Sequence, residues 1–460
     1  MEQSAGKIIH FHSFKENVGK FNLRKTTCLI PEMNRIGAHL MAAVFRGFGA
    51  SARVMETFEG QDLGMAHTSG KECYPCQITM GDILHCLKQE QDRLGDRFHP
   101  DRYVYFMPES SGPCRFGMYN KYQRIVLDAF PGLDKLKIIS LTTRDGYSIA
   151  GLLDESKVRD FRKTAYLSVV VGDVMDRLLW RVRPYEKAPG LTDAFMEKSL
   201  HVMEASFEQH GARKDFEKIL SKLDEVVEEG RSLIDPGIPP KPRIGIVGEI
   251  YLRTHTRANQ DLIRKLESYG AEIVNASVAE WVNYTSYDRL RDAKIKLKWH
   301  LKQRRFGRLR GDLRTILGYA GDLGYQQWRQ SRVYKRVGRR LPLPADHRIG
   351  HLEHILQEED LFSFDAGTEA CLSIAGIVAY ARAGYNGIVN VYPFACMPST
   401  ATSAIARPLM NDMGVPYLDT PYDSSSQPGR EATIRTFMYQ ASQHFNRQEM
   451  KAHPRRKRPS

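Results

Sequence analysis

Three short segments of this 460-residue chain place a cysteine among residues that interrupt helices and strands. The segments read Gly-Lys-Glu-Cys73-Tyr-Pro-Cys76, Gly-Pro-Cys114-Arg-Phe-Gly and Pro-Phe-Ala-Cys396-Met-Pro. Glycine and proline free the backbone from regular structure, and nearby amides can then donate hydrogen bonds to sulfur. A cysteine in an apolar run instead packs as a small hydrophobic residue. The three loops therefore predict thiolate ligands, and we expect an iron-sulfur site assembled from both halves of the chain.

Cys76 follows Cys73 with the CxxC spacing that zinc, iron-sulfur and redox sites share. A structural zinc site normally has a second matching pair, which the sequence lacks. A redox pair at the start of the following helix stays open, and so does the question whether Cys76 is a ligand. The remaining cysteines, Cys28, Cys86 and Cys371, lie in apolar segments, so we predict structural roles for them.

The composition is that of a globular protein with two or three domains. Hydrophobic residues make up 42% of the chain and charged residues 26%. The sequence begins without an apolar leader and has no run of about 18 apolar residues, so it predicts a cytoplasmic protein with no membrane partner. Seven cysteines, an odd number, do not predict a disulfide framework. In a reducing compartment they are buried thiols or ligands.

Alternating apolar and helical segments predict an α/β fold with mostly parallel sheets. Predicted strands cover residues 27–31, 52–55, 103–107 and 137–141 in the first half and 243–248, 272–274, 387–392 and 416–419 in the second. Predicted helices cover residues 35–48, 78–93, 193–233, 258–269, 350–357 and 367–383. Cys114 and Cys396 thus follow strands and Cys73 precedes a helix, where ligands collect in open α/β sheets. Helix N-termini after such loops would lower the pKa of the thiols and stabilise an anionic cluster.

A run of prolines and a glycine at 235–242 marks the best domain boundary. The sequence predicts an N-terminal α/β domain with a helical extension over residues 1–238. A C-terminal α/β domain follows over residues 239–446, with a basic helical insertion at about 287–337. Residues 447–460 are predicted to form a disordered basic tail.

The net charge of +13 is concentrated in one segment. Residues 289–340 contain 17 Lys or Arg and three Asp, so the remainder of the chain is about neutral. Aromatic residues recur between these charges, an arrangement that can bind RNA or single-stranded DNA by phosphate contacts and stacking. A solvated helical insertion whose aromatic rings pack on the domain, or a docking face for an acidic partner, explains the same pattern. The interleaved aromatic residues are Trp299, Phe306, Tyr319, Tyr325, Trp328 and Tyr334.

The cysteine segments also carry a family resemblance. As a set, the motifs of this chain resemble the 2-hydroxyacyl-CoA dehydratase component superfamily, above all its activase-related branch, the "CoA protein activase" proteins, which are kin to double-cubane cluster proteins. The resemblance covers residues 27–437 apart from the basic insertion. Besides the three cysteine loops, the motifs are Ile30-Pro-Glu-Met-Asn, Arg243-Ile-Gly-Ile-Val-Gly-Glu-Ile-Tyr and Gly367-Thr-Glu-Ala.

The resemblance implies two flavodoxin- or Rossmann-like domains with a [4Fe-4S] cluster, or a related larger cluster, between them. The positions that match the family's ligands are Cys73, Cys114 and Cys396, and Cys76 decides between three and four ligands. It further implies a separate ATP-hydrolysing activator of the ASKHA fold, a homo- or heterodimer, a CoA thioester substrate and an oxygen-sensitive, anaerobic function. The reaction would be a difficult reduction or a radical dehydration started by one low-potential electron.

Candidate catalytic residues near these loops are Arg115, Glu72 and Glu249, with Glu32 as a further carboxylate. Arg115 could balance the charge of a cluster or bind an anionic substrate. We expect no ATP on this chain, because it has no Walker motif, no GxGxxG and no actin-like phosphate loop. The alternative function is a non-enzymatic binding protein whose basic insertion engages nucleic acid or an acidic partner.

Overall fold

The computed structural model describes residues 17–23, 25–110, 112–142, 149, 154–425 and 427–452. Within these residues the chain is an α/β protein built on two parallel sheets. This agrees with the predicted fold class. No helix in the described ranges is both long and apolar enough to cross a bilayer.

The first sheet has five strands in the order β1-β5-β4-β2-β3. All neighbours pair in parallel, and in the register of the sheet Cys28 of β2 lies opposite Ala52 and Val104. Strand β2 is a short apolar run whose last three residues are buried, as expected where both faces of a parallel sheet are covered. The strands are β1 (Val18–Gly19), β2 (Thr27–Ile30), β3 (Ser51–Val54), β4 (Tyr103–Phe106) and β5 (Lys137–Ile139).

Four helices accompany this sheet. The first begins after Asn34, whose side chain accepts a hydrogen bond from the Gly37 amide at 2.6 Å. The third begins at Tyr74, four residues before the predicted start, because Pro75 suits the first turn of a helix. The helices are α1 (Arg35–Gly47), α2 (Gln61–Ala66), α3 (Tyr74–Leu94) and α4 (Tyr119–Asp128).

The second sheet has four parallel strands in the order β7-β6-β8-β9. If the edge strand β1 is set aside, each sheet has its first strand between its second and its third: β2 between β3 and β4, and β6 between β7 and β8. Gly248 ends β6 with φ of +110°, and a Cβ there would lie 2.1 Å from the carbonyl oxygen of Val391. Only glycine permits this approach. The strands are β6 (Arg243–Gly248), β7 (Glu272–Asn275), β8 (Gly387–Pro393) and β9 (Tyr417–Tyr422).

Two of the predicted segments in this half need correction. The helix expected over 258–269 is shorter, since Gln260 and Asp261 have left-handed backbone (φ 54° and 58°) and the helix starts only at Leu262. The last helix runs to Ala452, so residues 447–452 are helical rather than part of a disordered tail. The rest of the predicted tail, 453–460, lies outside the described residues. The helices here are α8 (Ile250–Thr254), α9 (Leu262–Ser268), α12 (Ile349–Glu358), α13 (Glu369–Arg382), α14 (Met397–Asp412) and α15 (Arg430–Ala452).

A helical layer joins the two sheets. It consists of α5 (Glu155–Val182), α6 (Leu191–His210) and α7 (Phe216–Ser232). α5 is central, because it packs on α1 in the first half and on β7 in the second. From this helix the buried Arg177 donates to the Tyr334 hydroxyl at 2.7 Å and forms an ion pair with Asp346.

The basic segment forms two antiparallel helices, α10 (Val278–Lys302) and α11 (Leu309–Val337). The inner ends of both helices pack on α5, and that of α11 also packs on α7. From residue 294 to residue 322 every side chain is exposed or partly exposed. We call this outer part of the helix pair the basic arm.

Candidate metal centre

Each of the three predicted ligands lies at the start of a helix. Cys73 precedes α3, Cys396 precedes α14, and Cys114 precedes the 3-10 turn that leads into α4. Their backbones share one extended conformation, with φ/ψ of −65°/147°, −65°/118° and −70°/133° respectively. The free amides and the positive end of a helix favour an anionic sulfur at this position. Cys73 and Cys396 are buried, and Cys114 is partly exposed.

Arg115 joins all three cysteine loops. Its Nη1 donates a hydrogen bond to the carbonyl oxygen of Lys71, two residues before Cys73, at 2.5 Å. Its Nη2 donates to the carbonyl oxygen of Ala395, directly before Cys396, at 2.5 Å. Since Arg115 itself follows Cys114, one side chain holds the loops of both sheets together.

The backbone at Ala395 is in the left-handed region, with φ of 59°. A residue with a Cβ avoids this region unless the surroundings impose it. Here the Phe394 amide donates to the carbonyl oxygen of Tyr422 at 2.7 Å, and the Cys396 amide donates to that of Pro393 at 2.9 Å. The strained turn therefore sets the position of Cys396.

The expectation that helix N-termini lower the pKa of these thiols is wrong, because burial raises the pKa of all three, that of Cys396 to about 12. The charge of Glu369 raises the pKa of Cys114 and Cys396 further, and Glu249 adds a smaller effect of the same sign. The guanidinium of Arg115 acts in the opposite direction on the pKa of Cys73. Three thiols next to two carboxyls suit a cationic metal group, which replaces the thiol protons when it binds.

Glu249 and Glu369 form the acidic part of the site. Glu249 accepts hydrogen bonds from the amides of Tyr251 (3.1 Å) and Leu252 (2.9 Å) and so caps α8. Burial raises the pKa of Glu369 to about 8, and the charge of Glu249 adds to this. Oε2 of Glu369 is buried and has no hydrogen-bond partner among the described residues. Glu369 was not singled out from the sequence, although it stands in the motif Gly367-Thr-Glu-Ala.

The other predicted carboxylates have local partners. Glu72 accepts hydrogen bonds from the amide (3.0 Å) and hydroxyl (2.9 Å) of Ser69, so it shapes the loop that precedes Cys73. Glu32 lies 4.0 Å from Nε2 of His39 on α1. Among the described contacts, none brings Glu32 to the cysteines.

Cys76 lies in the first turn of α3 and is 1% exposed. It belongs to an apolar cluster with Met80 and Tyr105, and burial raises its pKa strongly. Cys28 and Cys371 are fully buried. Cys86 is nearly so.

Among the described residues, no group of three or more His, Cys, Asp or Glu side chains is arranged to hold a metal ion. The thiolates of an iron-sulfur cluster bind different irons, so they lie further apart than ligands of a single ion. The residues at this site, Cys73, Cys114 and Cys396, supply the thiolate donors that iron-sulfur clusters use.

A scan of the chain against protein-family models finds no match, and neither does a search of curated proteins.

Proposed function

We propose that Cys73, Cys114 and Cys396 hold a [4Fe-4S] cluster and that the protein acts as a 2-hydroxyacyl-CoA dehydratase type of component. The observation that carries this proposal is the double hydrogen bond of Arg115, which brings loops from both sheets to one place. The motif resemblance names the same three cysteines as ligands. The geometry and the motifs thus support one assignment.

The strand orders support the flavodoxin-like reading of the two halves. A flavodoxin-like sheet has the order 2-1-3-4-5, with ligands at the carboxyl ends of the strands. The second sheet has this order for its four strands, and the first has it for β2 to β5, with β1 added at the edge. In both halves the cysteine loops follow strands or precede helices, as such a site requires.

Three ligands are favoured over four by the position of Cys76. Both cysteines belong to the apolar cluster under α3, but Cys73 precedes the helix, whereas Cys76 lies in its first turn and is less exposed (1% against 6%). When bound by three thiolates, the cluster supplies one iron that is open to a substrate oxygen, together with an electron.

The side chains around the cysteines have distinct tasks in this proposal. Arg115 fixes the loops and places a positive charge next to the anionic sulfurs. Glu249 is held by the amides of α8 and adds negative charge. Glu369, with its unpartnered buried oxygen, is our candidate for orienting a substrate or carrying a proton.

The electron would come from a separate ATP-hydrolysing activator of the ASKHA type, and the substrate class would be a CoA thioester. The reaction would be a radical dehydration or another difficult reduction, carried out without oxygen. Anaerobic purification followed by iron and sulfide analysis tests the proposal. A folded protein without iron or sulfide would overturn it.

A second candidate function is a binding protein, and the basic arm favours it. Eight cations of the arm form neither an ion pair nor a cation–π contact with any residue that the structure describes, and a ninth, Arg305, lies over the ring of Trp299. Six large apolar side chains in the arm are also more than two-fifths exposed, among them Trp299 (48%) and Phe306 (62%). Such a surface suits a polyanion or an acidic protein. The unpaired cations are Lys294, Lys296, Lys298, Lys302, Arg304, Arg308, Arg310 and Arg314.

Salt-dependent binding of single-stranded RNA tests this second function. Removal of residues 294–322 should abolish the binding and leave the iron content unchanged. Unchanged RNA binding without the arm would exclude the arm as the binding surface. Tyr334 is buried, as in a helical insertion whose rings pack on the domain. Trp328 is 49% exposed, as in a surface whose rings stack on nucleic acid.

A further inference from the structure

A cleft of about 1,420 Å³ lies where the inner end of α11 meets the segment before α12. Its size exceeds that of a typical small-molecule pocket, about 300–1,000 Å³. The cleft is separate from the cysteine loops, and its lining includes none of their residues. The cationic side chains that line it are Arg332, Lys335, Arg336, Arg339, Arg340 and Arg348.

Three of these cations are already paired with carboxylates of α7. Arg332 lies 2.9 Å from Glu217, and Arg336 lies 2.6 Å from Glu217 and 2.8 Å from Asp224. Arg340 lies 3.3 Å from Asp224. These pairs fix the inner end of α11 on α7 and engage both Glu217 and Asp224.

The other lining carboxylate is also engaged. Asp346 pairs with the buried Arg177 and accepts a hydrogen bond from the Ser277 hydroxyl. Lys335, Arg339 and Arg348 therefore remain without a carboxylate partner in the described part of the chain. The cleft carries three uncompensated positive charges.

An aromatic ring lies among these charges. Trp328 lines the cleft with half of its side chain exposed, and the buried Arg329 lies 4.7 Å from its ring centroid. Ser331 and Gln327 add polar groups to the lining. The fluorescence of the Trp328 ring can therefore report the binding of a ligand in the cleft.

We propose that this cleft binds a small anion with two or more phosphate groups, contacted by Lys335, Arg339 and Arg348. One carboxylate cannot satisfy three separate cations, whereas linked phosphates present several anionic oxygens at once. Arginine in particular suits phosphate because its donors form a planar fork. The proposal does not depend on the cysteines or on what they hold.

Titration of the full chain with inorganic triphosphate tests the proposal. We expect saturable binding that weakens with salt and changes the fluorescence of Trp328. Lys335→Gln with Arg339→Gln should weaken binding at least about tenfold, because it removes two of the three charged contacts to the phosphates. The matched control, Lys302→Gln with Arg310→Gln in the basic arm, removes the same charge and should change the affinity less than about twofold.

Trp328→Phe should remove the fluorescence change while calorimetry still detects binding. Circular dichroism of each variant should show an unchanged melting transition. The proposal is overturned if triphosphate does not bind saturably, or if the cleft and arm variants lose affinity equally. It is also overturned if the fluorescence change survives in Trp328→Phe, or if single-stranded RNA binds in the cleft and triphosphate does not.

Discussion

The guanidinium of Arg115 donates a hydrogen bond to the carbonyl oxygen of Ala395, 280 residues further along the chain. Because these two residues adjoin Cys114 and Cys396, the bond aligns the cysteine loops of the two sheets. The second bond of the same side chain, to Lys71, brings in the loop of Cys73. The candidate site is therefore a property of the assembled fold.

Arg115→Met should lower the iron content of the anaerobic protein by more than half. The variant loses two hydrogen bonds from a charged group, each worth roughly 1.5–3 kcal/mol. Arg115→Lys keeps the positive charge but lacks the planar guanidinium that donates both hydrogen bonds. It should therefore retain an intermediate amount of iron. Iron analysis together with a thermal melt measures both effects. Full iron occupancy in Arg115→Met would show that the bridge is dispensable.

Ala395→Val should destabilise the protein by about 1–3 kcal/mol, because a β-branched residue tolerates left-handed backbone poorly. Ala395→Gly should be close to neutral, since relief of strain and loss of chain entropy oppose each other. Urea unfolding measures the free energies. The control is Ala383→Val, at a position with φ of −79°, where we expect a smaller effect. Equal losses at 395 and 383 would argue against strain.

Asp82 gives a pH dependence of stability. The buried carboxyl accepts hydrogen bonds from the Thr57 hydroxyl and the Phe58 amide, both at 2.8 Å, and burial raises its pKa to about 7. Between about pH 4 and pH 7 the folded state thus keeps a proton that the unfolded state has released. The contribution of Asp82 to stability is therefore lost as the pH rises to 7, by up to about 4 kcal/mol.

Asp82→Asn should remove this slope. Urea unfolding of both proteins between about pH 5 and pH 8 measures it, with the exposed Asp92→Asn as control. Parallel stability curves for wild type and Asp82→Asn would contradict the assignment.

The ion pair between Arg177 and Asp346 should be costly to break. Both side chains are almost fully buried, so Arg177→Met leaves an uncompensated carboxylate and should cost about 3–5 kcal/mol. The surface pair between Arg231 and Glu228 is the control, and Glu228→Gln should have little effect. Comparable losses from the two variants would indicate that burial of the first pair does not matter.

The apolar strands were predictable because each is a short run bounded by turn residues. All eight predicted strands are present, while the two-residue β1 is too short to give a pattern. The helix α5 was not predicted. Its buried Asp173 and Arg177 interrupt the apolar face, and their partners are residues 278–279 and 346, far away in the sequence.

The candidate site was predictable only in part. The loops around Cys73, Cys114 and Cys396 stand out by their glycines and prolines. The bridge from Arg115 and the unpartnered oxygen of Glu369 depend on tertiary contacts, which no local pattern encodes.

Iron and sulfide analysis of anaerobically purified cysteine variants tests the central claim most directly. We expect about four irons and four sulfides per chain in the wild type. Cys396→Ala should lose the cluster, whereas Cys371→Ala and Cys76→Ala should keep it. A wild type that is folded but free of iron and sulfide, or an equal loss from Cys396→Ala and Cys371→Ala, would contradict the account.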